Sequence, residues 1–120
     1  DPLDGTSNAI KEIPSYGISI AVAKTPKDRV ATLDDVELGF IKNYANGNQF
    51  EAEKGKGAWL NGQTTKPSDE TKISNLSFGG FTKSNTVEAS KLIDTARRMR
   101  VLGSVVLELS YVENMMHFLI

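Results

Sequence analysis

An α/β (α+β) fold is the class this sequence predicts, and three observations predict it. Residues 16–23 alternate and are rich in β-branched side chains, the period-2 pattern of a strand, and residues 36–44 read as a second strand. Asn46-Gly47 and Asn61-Gly62 punctuate the same half with the dipeptide that turns hairpins. Beyond Pro67 the period changes: residues 86–98 carry Ala89, Leu92, Ile93 and Ala96 at helical spacing, between two short strand-like runs. Antiparallel strands followed by a βαβ unit are therefore expected, with residues 1–66 forming one half and residues 67–120 the other.

In chain order, residues 5–11 read as a short helix or turn and residues 16–23 as a strand. Residues 24–34 are polar, contain Pro26 and read as a surface loop. A second strand over 36–44 should turn at 45–48 and pair back through 49–53. Gly55-Lys-Gly57 bends the chain before Ala58-Trp-Leu60, and Asn61-Gly62 turns it again, completing an antiparallel meander. Residues 63–74, polar and broken by Pro67, read as a crossing between layers. A strand at 76–81 follows, then the helix over 86–98, for which Asn85 and Glu88 form a capping-box pattern. Residues 100–103 read as a short strand. Ser104 then caps a helix whose apolar face includes Val105, Leu109, Val112 and Met116.

Composition narrows the function classes. At 39% hydrophobic and 24% charged, 120 residues suffice for one soluble core. A formal net charge of −1 without a basic face argues against nucleic acid as a partner. Arg97, Arg98 and Arg100 cluster, which suits either a solvated helix end or an anion. No cysteine is present, so thiol nucleophiles, disulfides and zinc-thiolate sites drop out. No apolar run is long enough to span a bilayer, so no membrane partner is expected and cytoplasmic localisation is the default.

The chemistry concentrates in Asp1-Pro-Leu-Asp-Gly-Thr6. Asp1 and Asp4 offer the hard anionic oxygens that Mg²⁺ prefers, and the Leu3 carbonyl between them is a neutral third donor. Pro2 stiffens the link. Gly5 permits an unusual backbone angle, after which the amides of Gly5, Thr6, Ser7 and Asn8 lead into a short helix able to cup an anion. Asp-Pro and Asp-Gly are also ordinary turn dipeptides, and spacing alone leaves both readings open.

The run Asp1-Pro-Leu-Asp-Gly-Thr-Ser-Asn8, with Glu12-Ile-Pro-Ser-Tyr-Gly-Ile-Ser-Ile-Ala21 after it, resembles the metal-binding signature of the inositol monophosphatase family and the strand that follows it. Ala52-Glu-Lys-Gly-Lys-Gly-Ala-Trp-Leu-Asn-Gly62 is similar to that family's glycine-rich hairpin. Arg100-Val-Leu-Gly-Ser-Val-Val-Leu-Glu-Leu-Ser-Tyr-Val112 is similar to its strand-to-helix segment, in the version of archaeal-type members that act on inositol phosphates and fructose 1,6-bisphosphate. The resemblance covers nearly all of this chain and about half of a typical member. It implies a central part of a layered α-β-α-β-α sandwich, truncated at both ends. Upstream acidic segments and a downstream Trp-Asp segment would complete the metal shell. After Val112 the pattern departs, with Glu113-Asn-Met-Met-His117 where a small residue and glycine are usual.

What the resemblance implies is Mg²⁺-dependent hydrolysis of a phosphomonoester, using two or three ions, by a homodimeric enzyme acting on a small phosphorylated sugar or polyol. Asp1, Leu3 and Asp4 would hold metal, Gly5 and Thr6 would donate amides to phosphate, and Gly103, Ser104 and Val105 would lie beside the substrate. No catalytic residue is expected beyond the metal ligands. A phosphonucleotide such as adenosine 3′,5′-bisphosphate is the alternative substrate, and a non-catalytic structural or dimerisation piece is the alternative for these residues alone. An isolated piece of this kind should oligomerise or be poorly stable. His117 lacks the serine and acid of a triad and reads as buried or strand-flanking. Trp59 reads as packing, Lys54-Gly-Lys56-Gly57 as a bend rather than a phosphate loop, and Glu108 as facing either substrate or solvent.

Overall fold

The computed structural model describes residues 1–79, 87, 90–114 and 116–118, with side chains described through residue 112. Strands β1 (Gly17–Ala23), β2 (Val36–Asn43), β3 (Gln49–Glu53), β4 (Gly57–Leu60) and β5 (Gln63–Thr65) form one antiparallel sheet in chain order. A five-residue helix α1 (Thr6–Ile10) precedes it. Strands β6 (Ser77–Gly79), β7 (Arg98–Arg100) and β8 (Met116–Phe118) form a second, parallel sheet in the order β7-β6-β8. Helix α2 (Ser90–Thr95) connects β6 to β7, giving the expected βαβ unit, and α3 (Val105–Ser110) follows β7.

The turns obey local chemistry. Asn61 and Gly62 both take positive φ, 51° and 78°, as a type I′ hairpin requires. The Asn61 carboxamide accepts from the Gln49 amide at 2.9 Å and so also fixes the neighbouring strand. The 44–48 connection is longer than a two-residue turn. The buried Asn43 side chain accepts from the Ala45 amide at 2.8 Å, and Gly47 donates back to the Asn43 carbonyl at 2.9 Å.

The registry decides which face meets α3. Gly17, Ala21, Gly39, Ile41, Phe50, Ala52, Ala58 and Leu60 share one face through their cross-strand pairs. Small residues there let the helix come close, and Phe50 packs edge-on against Tyr111 at 5.6 Å between ring centroids. The opposite face carries Ile18, Ile20, Val22, Leu38, Phe40 and Trp59. Ile20, Val22 and Leu38 are roughly half exposed. Each such side chain forgoes part of the ~1.5–3 kcal/mol that full burial contributes.

Five expectations are corrected. Residues 63–65 do not begin a crossing but form β5, because the Asn61-Gly62 turn carries the chain straight back onto β4. Residues 33–35, inside the expected loop, form a 3-10 turn closed by a Thr32–Asp35 capping box. The strand expected at 100–103 lies at Arg98–Arg100, so Arg98 belongs to a strand and not to a helix end. The final helix stops at Ser110 and passes through a 3-10 turn into β8, so Met116 is a strand residue, as is His117. Ser104 occupies the N-cap position of α3, but its hydroxyl makes no capping hydrogen bond. The proposed capping box at Asn85 and Glu88 lies outside the described residues, as do Gly80 and Phe81 of the expected strand.

Candidate active site

The acidic hexapeptide is pinned to the edge of the first sheet by backbone pairing. Asp4 and Gly17 exchange hydrogen bonds of 2.8 and 3.0 Å, and the Ser19 amide donates to the Asp1 carbonyl at 2.9 Å. Two glycines make this possible. A Cβ on Gly17 would lie 2.2 Å from the Lys42 carbonyl oxygen. Gly5 adopts φ 80°, and a Cβ there would lie 2.7 Å from the Ser15 carbonyl oxygen. The left-handed turn at Gly5 aims the chain into α1. The amides of Gly5, Thr6 and Ser7 precede or open the helix and donate to no acceptor among the described residues.

The donor set is chemically suited to a hard cation, though only as part of a shell. Asp1 Oδ1 accepts from the Leu3 amide at 3.1 Å, and the Leu3 carbonyl accepts from the Thr6 hydroxyl at 3.1 Å, which leaves lone pairs on both oxygens. Asp4 divides its carboxylate. Oδ2 accepts from the Ser104 hydroxyl at 2.5 Å and from the Val106 amide at 3.1 Å, while Oδ1 makes no hydrogen bond among the described residues. Among those residues no three acidic or histidine side chains converge on one point. Two carboxylates and a carbonyl fall short of the six ligands Mg²⁺ takes, so other oxygens must complete its sphere.

Asp4 also reaches across the molecule. By accepting from Val106 it caps α3 from a hundred residues away, the task expected of Ser104. The turn before α3 is held from two further sides. Asn8 donates its amide to the Ser15 carbonyl at 2.8 Å and to the Leu102 carbonyl at 2.6 Å. Glu108, only 2% exposed, accepts from the amides of Leu102 and Gly103 at 2.5 and 2.9 Å. Gly103 sits at φ 78°, and a Cβ there would meet the Asn8 carboxamide at 2.9 Å.

Of the three residues expected beside substrate, Gly103 gives its amide to Glu108, and Ser104 is fully buried with its hydroxyl on Asp4. Val105 is about half exposed. Glu108 faces neither substrate nor solvent: it is buried, because two otherwise unpaired amides need an acceptor. Asn8, read from sequence only for its backbone amide, works through its side chain. A sequence signal for Glu108 does exist. It is a lone carboxylate between Leu107 and Leu109, four residues after Ser104 and hence on the same helix face.

Two sheets joined through a pinned acidic turn, with open amides on one side and a divided carboxylate on the other, define a layered α/β protein with a candidate phosphate-and-cation site. The chain belongs to the inositol monophosphatase family, whose model matches residues 1–114. It is 48% identical over 116 residues to a fructose-1,6-bisphosphatase/inositol-1-monophosphatase of Methanothermobacter thermautotrophicus, covering 93% of this chain and 41% of the relative. It is 34% identical over 126 residues to a bifunctional NADP phosphatase/NAD kinase of Methanococcus maripaludis, covering 93% of this chain and 22% of that protein. Among solved structures, a Pyrococcus horikoshii protein with similarities to inositol-1 monophosphatase matches with a TM-score of 0.76 at 32% identity, covering 93% of this chain and 40% of that one. The extragenic suppressor protein suhB of Bartonella henselae matches with a TM-score of 0.78 at 28% identity, covering 93% of this chain and 44% of that one. The chain thus spans well under half the length of these proteins.

Proposed function

We propose that the protein carrying this chain is a Mg²⁺-dependent phosphomonoesterase acting on a sugar or inositol phosphate, with inositol 1-phosphate and fructose 1,6-bisphosphate as its substrates. The observation that carries this reading is the juxtaposition of Asp4, with one carboxylate oxygen uncommitted, and the open amides of Gly5 and Thr6. The 48%-identical relative's two named activities support the substrate class. Asp1, the Leu3 carbonyl and Asp4 would hold the metal, two or three ions in all. When bound, magnesium supplies polarisation of the phosphoryl oxygens and a water of lowered pKa. Gly5 and Thr6 orient the phosphate through their amides, and the Thr6 hydroxyl fixes the Leu3 carbonyl. Gly103 and Ser104 shape the wall on which Val105 meets the substrate.

A phosphonucleotide is the second substrate reading, favoured by the 34% identity to the NADP phosphatase/NAD kinase. For these 120 residues alone, a non-catalytic structural half is the favoured behaviour, because the donor set is partial and one sheet face is half exposed. We assign the whole protein a homodimeric state and a cytoplasmic location on the family resemblance. Among the described residues no helix is long and apolar enough to cross a membrane. Phosphate release from inositol 1-phosphate and fructose 1,6-bisphosphate, with and without Mg²⁺, tests the reading in this chain and in the full-length protein. Mg²⁺-dependent release by the full-length protein only is expected; inactivity of both on every phosphomonoester overturns it.

A further inference from the structure

The turn 102–104 has no strand partner of its own, yet four of its polar groups are held by side chains. The Leu102 carbonyl goes to Asn8, the Leu102 and Gly103 amides go to Glu108, and the Ser104 hydroxyl goes to Asp4. Glu108 is 2% exposed and Ser104 is fully buried, so both side chains are shielded, while the bonds they make to the turn and to Asp4 are partly buried. Glu108 lies one helical turn beyond Ser104, and its amide donates to the Ser104 carbonyl at 3.0 Å. It therefore grips the turn from both its backbone and its side chain. Shift the turn and the Ser104 hydroxyl leaves Asp4 Oδ2.

We infer that Glu108 is a positioning residue for the cation site: by fixing the 102–104 turn it keeps Ser104 and Val106 on Asp4 Oδ2, so that Asp4 presents Oδ1 alone, in one orientation, to the metal. The inference rests on the reading of Asp4 as a cation ligand. Partners that orient a metal-binding carboxylate alter affinity through the geometry of the ligand without touching the ion. A carboxylate freed of Ser104 and Val106 would rotate and lose that preset orientation. Because a single Glu108 oxygen accepts both amides, glutamine in its place retains an acceptor, whereas leucine fills the space and offers none.

The test uses the full-length protein with Mn²⁺ as the probe, bound ion being read by electron paramagnetic resonance and folding by circular dichroism and Tm. Wild type is expected to bind Mn²⁺, with Glu108→Gln within about threefold of it. Folded Glu108→Leu is expected to bind ~10- to 100-fold more weakly, with the Mg²⁺ concentration that half-saturates turnover rising by the same factor. Wild-type Mn²⁺ affinity in folded Glu108→Leu overturns the inference and leaves Asp4 a ligand. Unchanged Mn²⁺ affinity in Asp4→Asn overturns the underlying reading instead. Where Glu108→Leu does not fold, Ser104→Ala decides the matter by removing only the last link: weakened Mn²⁺ binding supports the inference, and wild-type binding overturns it.

Discussion

The antiparallel sheet and the acidic junction are built on opposite plans. Each strand of β1–β5 pairs with its neighbour in sequence, and its turns are held by nearby residues, the Asn43 side chain accepting from the Ala45 amide and the Glu53 carbonyl accepting from the Lys56 amide. The junction joins Asp4 to Ser104 across 100 residues and Asn8 to Leu102 across 94. Local pairings form at little loop-closure cost, whereas distant ones form only after the intervening chain is ordered. A flaw in a sheet turn should therefore stay local, while a flaw at the junction should reach both the fold and the chemistry.

Activity gives the sharpest way to break this comparison. Asp4→Ala removes a proposed metal ligand and the distant cap of α3 together, so Mg²⁺-dependent phosphate release by the full-length protein should fall by at least about a hundredfold. Activity within tenfold of wild type would remove Asp4 from the chemistry. For stability the largest effect is expected from Gly17→Val, because its Cβ would drive into the Lys42 carbonyl. A loss of about 3 kcal/mol or more, read from urea midpoints, is expected there. Asn8→Ala should destabilise by about 2 kcal/mol, since it orphans one buried and one partly buried carbonyl at once.

Gly47→Ala supplies the contrast. Gly47 has positive φ, but open space surrounds the place where a Cβ would sit, so only backbone strain of about 1 kcal/mol is expected. A loss as large as that of Asn8→Ala would erase the distinction between the two regions. The smallest effect belongs to the exposed clamp of the 24–35 loop. The Arg29 guanidinium donates to both Asp35 oxygens at 2.6 Å and lowers the Asp35 carboxyl from 3.8 to about 2, helped by the Thr32 amide. A carboxyl lowered on folding stabilises above its unfolded value and ceases to do so as pH falls through its folded one. The gap in urea midpoint between wild type and Asp35→Asn should hold steady above the unfolded value of 3.8, close as pH falls to about 2, and narrow at high salt.

Legibility followed the same divide. The hairpins could be read from Asn-Gly dipeptides and period-2 runs because those signals act within a few residues, although β5 was hidden by its polar composition. The last segment misled for a physical reason. Val112 and Met116 continue a helical period, but the chain turns into β8 to pair alongside β6, and strand pairing outweighs spacing there. The acidic turn of residues 1–6 was legible as a motif, and Gly5 was legible as the residue such a turn needs. The partners of Glu108 and Asn8 were not, because a buried polar side chain reveals its partner only once the partner's position is known.

By itself, the sequence determined the strand-rich first half, the βαβ order, the absence of thiol chemistry and the concentration of hard oxygen donors in residues 1–6. These follow from propensity, period and composition, which need no knowledge of distant neighbours. Tertiary structure alone decided that Asp4 divides its oxygens, that it and not Ser104 caps α3, and that Glu108 and Asn8 hold the turn beside it. The reason is that buried amides and carbonyls must find partners wherever the fold brings them, and those partners are chosen by proximity in space.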